Sequence, residues 1–146
     1  MKPESLLCVA LILLGGCSSP ALVEFRGATT TFKRTGARDG ATSYAPEVQV
    51  GSEVVISNDD FASATPSFTD DGRRAVDVTL TDEGARKLLA YTSAHLREPI
   101  AIMLDGQLLD APMVLSPLSK SGVISAMPSG LSEEQVDRIV QSLNRH

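Results

Sequence analysis

The chain has 146 residues, 42% hydrophobic and 21% charged, which fits one globular domain and excludes a large multidomain enzyme. Thirteen basic against 18 acidic residues leave a net charge of -5, and 4% aromatics without Trp offer few stacking platforms, so nucleic acid is excluded as an expected partner. Both cysteines, Cys8 and Cys17, sit at the extreme N-terminus, so the rest of the chain holds by packing, without disulfide or thiolate metal site.

From Leu6 to Gly16 the residues are uninterruptedly apolar or small, a run well short of the ~20 that a membrane-spanning helix needs. Such a run is the core of a signal peptide. It ends in Leu14-Gly15-Gly16-Cys17, which resembles the lipobox of bacterial lipoproteins, where cleavage precedes a cysteine that carries acyl chains. Residues 1–16 are therefore expected to be a lipoprotein signal peptide and Cys17 the lipid attachment site; the alternative is an ordinary signal peptide with an incidental cysteine. One acyl chain anchors only marginally at ~0.8 kcal/mol per buried methylene, whereas several hold a protein stably on a membrane it does not span. The expected location is the extracytoplasmic side of a bacterial envelope. Ser18 in place of Asp after the cysteine resembles the signal for passage to the outer membrane where there are two.

Residues 17–52, rich in Ser, Thr, Gly and Ala, are expected to be the lipidated N-terminus and a tether with room for a short strand. Lys33, Arg34 and Arg38 form the one basic cluster, read as a solvated loop, with contact to anionic lipid as the alternative. The folded domain is expected over 53–146. Val54-Val55-Ile56 predicts a strand, with another near Thr65 to Thr69 and a hairpin turn at Asp71-Gly72. Val76, Val78 and Leu80 alternate with Asp77 and Thr79, the period of a strand with one wet face. Thr81 is placed to cap a helix from Asp82 to about His95, with Ala85, Leu88, Leu89, Thr92 and Leu96 as its apolar stripe. Pro99 breaks it, and Ile100 to Leu104 predicts a covered central strand.

Asp105-Gly106 is the strongest hairpin signal, because a two-residue turn with positive φ at both positions suits this pair. The return from Gln107 to Val114 contains Pro112, which cannot donate to a ladder and marks an edge or a bulge. Gly122 to Met127 predicts one more strand. Ser132 with Gln135 forms a capping box for a final helix burying Val136, Ile139, Val140 and Leu143. The expected fold class is α+β, a mainly antiparallel sheet covered by two helices.

Residues suited to catalysis are present without constellations. Asp105 is accounted for by its turn and Asp110 by a wet strand face, so they make no acid–base pair. The doublets Asp59-Asp60 and Asp70-Asp71 miss the calcium-loop spacing and suit a cap and a turn. His95 is placed at a helix C-terminus, with His146 as the only other histidine. Lys120-Ser121-Gly122 is similar to the K-[ST]-G triplet of penicillin-binding enzymes, but no S-x-x-K accompanies it. Neither enzyme activity nor a cofactor or metal is expected.

Ile56-Ser57-Asn58-Asp59-Asp60-Phe61-Ala62-Ser63-Ala64 resembles the segment that opens the head subdomain of the first periplasmic domain of SecD and SecDF proteins. Val76 to Ala85 resembles that family's strand-to-helix junction, Tyr91-Thr92 falls where its first helix carries a Thr, and Ile100 to Gly106 with Ala111-Pro112 resembles its "aivlDg…aP" hairpin. Val23-Glu24-Phe25-Arg26 is similar to a strand preceding the head. The likeness covers residues 54 to 143. It implies an extracytoplasmic, non-catalytic binding module whose partners are unfolded or translocating polypeptide or Sec-type export components. The family's proton-coupled membrane domain has no counterpart before His146, so the expectation is a head-like module on a lipid anchor. A structural or assembly envelope lipoprotein that kept the fold without an export role is the alternative. Leu108, Leu109 and Met113, around Pro112, are the candidate polypeptide-binding residues, an edge strand with apolar side chains being suited to strand addition. The alternative for Leu109 and Met113 is that they fill the core.

Overall fold

A computed structural model describes residues 21–38 and 40–145; the expected signal peptide and Cys17 lie outside them. Seven strands and two helices follow in the order β1 (Val23–Arg38), β2 (Ala41–Ile56), a 3-10 turn (Asn58–Asp60), β3 (Phe61–Phe68), β4 (Arg74–Leu80), α1 (Asp82–Ala94), β5 (Ile100–Leu104), β6 (Gln107–Asp110), β7 (Ser121–Ile124) and α2 (Glu133–Leu143). The class is α+β with antiparallel pairing throughout. The strands divide between two sheets, one of order β2-β1-β5-β6 and one of order β3-β4-β7.

The tether expected over 17–52 is corrected from Val23 onward. Residues 23–56 form a hairpin of two 16-residue strands, and β1 enters the heart of the larger sheet by pairing Val23–Gly27 with Leu104–Ile100. The domain therefore starts well before residue 53, and Lys33 and Arg34 lie on a strand rather than in a loop. Its Thr-rich composition suggests a loop only where apolar alternation is demanded. Thr is a good strand former, and a ribbon wetted on both faces needs no such alternation.

One face of the larger sheet meets the helices. Val23, Phe25, Ile100, Ile102 and Leu104 join β4, Leu88 of α1 and Ile139 and Leu143 of α2 in the main core, where Phe25 and Phe61 meet edge to face at 5.6 Å. The opposite face carries a small separate cluster of Ala28, Ala101 and Met103, with Val48 against it.

Both helices start as expected. Thr81 Oγ1 accepts from the Gly84 N–H at 3.0 Å, and Ser132 with Gln135 closes a capping box. The buried stripe of α1 is Gly84, Leu88 and Thr92, whereas Leu89 and Leu96, expected to be buried, are 43% and 47% exposed. The rotation follows from Gly84, whose missing side chain lets α1 rest on the 3-10 turn: a Cβ there would stand 2.4 Å from Asp60 O.

Asp60 receives the Ser57 N–H at 3.0 Å and Lys87 Nζ at 2.9 Å. Burial raises its carboxyl, but these hydrogen bonds and the Lys87 charge outweigh that and hold it below its ordinary value.

Asn58 accepts the Val23 N–H at 2.7 Å and donates to Ala21 O and to Ser142 Oγ at 2.8 and 3.0 Å, tying the start of β1 to the end of α2. Asn144 exchanges two hydrogen bonds with the Ala64 backbone, clamping α2 to β3.

Candidate functional site

The edge of the larger sheet is built by the Asp105-Gly106 turn. Both residues have positive φ, 51° and 80°, as the sequence predicts for this turn. The Asp105 carboxylate accepts the Leu22 N–H at 2.9 Å and pairs with Arg138 at 2.6 Å, so β1 and α2 both brace the hairpin.

Past the turn, β6 pairs with β5 alone among the described strands. Met103 stands opposite Leu108 and Ile102 opposite Asp110, which makes Leu109 the extra residue of a bulge. By strand alternation Leu109 turns inward and packs, half-buried, on the main core, while Leu108 lies beside Met103 on the outer face, 43% exposed; the bulge brings Asp110 opposite inward-facing Ile102 as well. Met113 forms a bridge to Pro99 and is 48% exposed. Pro112, which has no N–H to give, still accepts the Ile100 N–H at 3.0 Å.

Two of the three candidate side chains thus share the outer face and the third does not. Strand alternation separates Leu108 from Leu109, and the bulge itself has no sequence signal beyond the nearby proline. Asp110 is not on a wet face: half-buried, it accepts the Ala111 N–H at 2.8 Å.

A second feature escaped the sequence reading. Between β1–β2 and α1 lies a cleft of about 420 Å³ lined by Gly27, Gly51, Glu53, Tyr91, His95 and Glu98. Tyr91 stacks on His95 with centroids 3.9 Å apart, and its hydroxyl fills the space that Gly27 leaves, where a Cβ would stand 2.6 Å away. Burial, then the charges of Glu53 and Glu98, raise the Tyr91 pKa, so the hydroxyl stays protonated. His95 ends α1 as expected, its Nδ1 2.8 Å from Tyr91 O. The acidic doublets serve as cap and turn, and no group of three or more potential metal ligands forms among the described residues.

Residues 30–139 match the family model described as SecDF, P1 head subdomain. The chain belongs to this family. The match starts within β1, so part of the long hairpin is included in the SecDF head pattern, which begins earlier than the likeness read from residue 54. The protein translocase subunit SecD of Rhodobacter capsulatus is 38% identical over 72 residues, 49% of this chain and 13% of that protein. Protein translocase subunit SecDF of Thermus thermophilus is 28% identical over 89 residues, 60% of the chain and 12% of the relative. The chain thus spans about an eighth of the length of these relatives. Among solved structures, one described as a membrane component SecDF that enhances protein export superposes with a TM-score of 0.64 at 25% identity, covering 99% of this chain and 70% of that one. SecDF in a super-membrane-facing form gives the same TM-score and identity over 21% of its chain. Among the described residues no helix is long and apolar enough to cross a membrane.

Proposed function

We propose that this SecDF-head protein is an extracytoplasmic lipoprotein, anchored through Cys17, that acts as a non-catalytic binding module for unfolded or translocating polypeptide in protein export. The observation that carries the binding role is the free β6 edge with Leu108 and Met113 exposed beside it on one face. An extended segment adds to such an edge through backbone hydrogen bonds, which are indifferent to sequence, while shallow apolar contacts select weakly. That is the recognition a many-substrate export factor requires. Relatives named as protein translocase subunits support the export setting, with Sec-type components as partners. The Leu14-Gly15-Gly16-Cys17 boundary supports the lipid anchor, and Ser18 supports the outer membrane where the organism has two.

A fluorescent unfolded peptide titrated by anisotropy tests the binding role. Replacing Leu108 and Met113 with Ser, with the fold checked by circular dichroism, is expected to weaken binding by about tenfold, two half-exposed apolar contacts being worth ~1.4 kcal/mol together. Undiminished binding, or no wild-type binding, refutes it. Palmitate labelling of Cys17→Ala tests the anchor: the label should vanish, and labelling equal to wild type overturns this site.

A further inference from the structure

The distal part of the β1–β2 hairpin is unaccounted for by the edge-strand function. Beyond Gly27, β1 loses β5 as a neighbour, and from Ala28 to Arg38 it is paired, among the described residues, only with β2. At ~3.4 Å per residue this is an arm of roughly 35 Å, and a ribbon of two strands is marginally stable in water unless something covers it.

Its two faces differ. The cross-strand pairs Thr30–Val48, Phe32–Pro46 and Arg34–Tyr44 share one face, continuous through Ala28 and Val48 with the outer cluster at Ala101 and Met103. Phe32 is 69% and Tyr44 60% exposed on that face. The pairs Thr29–Gln49, Thr31–Glu47 and Lys33–Ala45 make the other face polar.

Charge selects among occupants. Residues 28–50 hold Lys33, Arg34 and Arg38 against Asp39 and Glu47, so the arm is positive while the molecule carries -5. A second copy would bring its own positive arm to the same place. An anionic lipid surface instead attracts the arm and repels the acidic head, and it accepts exposed Phe and Tyr at headgroup depth with Lys and Arg beside them.

We infer that the apolar face of this arm docks on an anionic lipid surface, Phe32 and Tyr44 entering the interface and Arg34 on the same face holding the headgroups, while Lys33 on the polar face adds to the positive field of the arm. The contact orients the head on the membrane independently of how the N-terminus is attached.

Because the sequence has no Trp, Phe32→Trp in the full chain puts a single emitter on the arm, and Phe68→Trp, at a 70% exposed position of β3, makes a control. Vesicles of phosphatidylcholine with phosphatidylglycerol should shift the arm emission to the blue and leave the control unmoved. Phosphatidylcholine alone, or high salt, should remove the shift. Lys33→Gln with Arg34→Gln should weaken partitioning by about tenfold. No shift with anionic vesicles overturns the inference. So does an equal shift in neutral vesicles, a shift of both emitters, or a shift that grows with protein concentration without vesicles, which would assign the face to a second copy.

Discussion

Gly84 sits in the first turn of a helix, where Ala is ordinarily the better residue by about 1 kcal/mol. Here the order is reversed, because any Cβ at this position runs into the Asp60 backbone. Gly84→Ala is expected to lower stability by about 1–3 kcal/mol in urea unfolding, the range for overpacking; a stabilised variant would show that α1 rests elsewhere. Gly106→Val forces a β-branched residue to a φ of 80° and should cost at least ~1 kcal/mol, seen as a lowered melting temperature of the purified protein. Asp60 brings a pH dependence. Its folded pKa lies below the ordinary 3.8, so its contribution is complete above that value and disappears as pH falls through the folded one. Asp60→Asn should therefore be less stable than wild type near neutral pH, and the gap should close on acidification below about pH 4, measured by urea midpoints across that range.

At the scale of elements, the alternation of β6 against β5 decides which of its side chains meets solvent. Leu109, half-buried, packs on the core and Leu108 does not, so Leu109→Ser should cost about 1–2 kcal/mol by removing apolar surface from that contact. Leu108→Ser should stay within about 0.5 kcal/mol. Equal losses in thermal unfolding would mean that the two side chains do not lie on opposite faces. The same alternation separates Leu108 from the core, so substitutions on the outer face are readable as effects on binding.

At the largest scale, the described residues make a core tied together near Ala21 and at the final helix, with an arm extending from it. Asn58 joins β1 to α2, and Asn144 joins α2 to β3, so the residues around Ala21 and the final helix close one unit. The arm contributes little to that closure. Replacing residues 30–48 with an Asn-Gly turn between Thr29 and Gln49 should leave the melting temperature within a few degrees of wild type in calorimetry, since among the described residues of the removed stretch only Val48 packs against a buried cluster. A collapse of the transition would make the arm a structural part of the head.

Local signals and tertiary placement divide cleanly along the chain. Thr81, the Ser132–Gln135 box, the Asp105-Gly106 turn and the buried run Ile100–Leu104 were legible in the sequence because each is set by backbone geometry or burial within a few residues. The hairpin at Ile100–Gly106 and the junction around Thr81 also carried the SecDF likeness for the same reason. The edge position of β6 was legible through Pro112, but not which of Leu108 and Leu109 faces the core, which depends on the pairing with β5. Nor was the arm: Tyr44, Pro46, Val48 and Val50 alternate along β2, but the Thr-rich stretch of β1 paired with them has no hydrophobic period of its own. The α1 stripe was misjudged by a rotation that only Asp60, 24 residues earlier in the chain, explains. Class and capping follow from short-range chemistry, so the sequence by itself determined them. Which apolar side chains remain exposed is a matter of long-range register and close approach, and only the tertiary structure decided it.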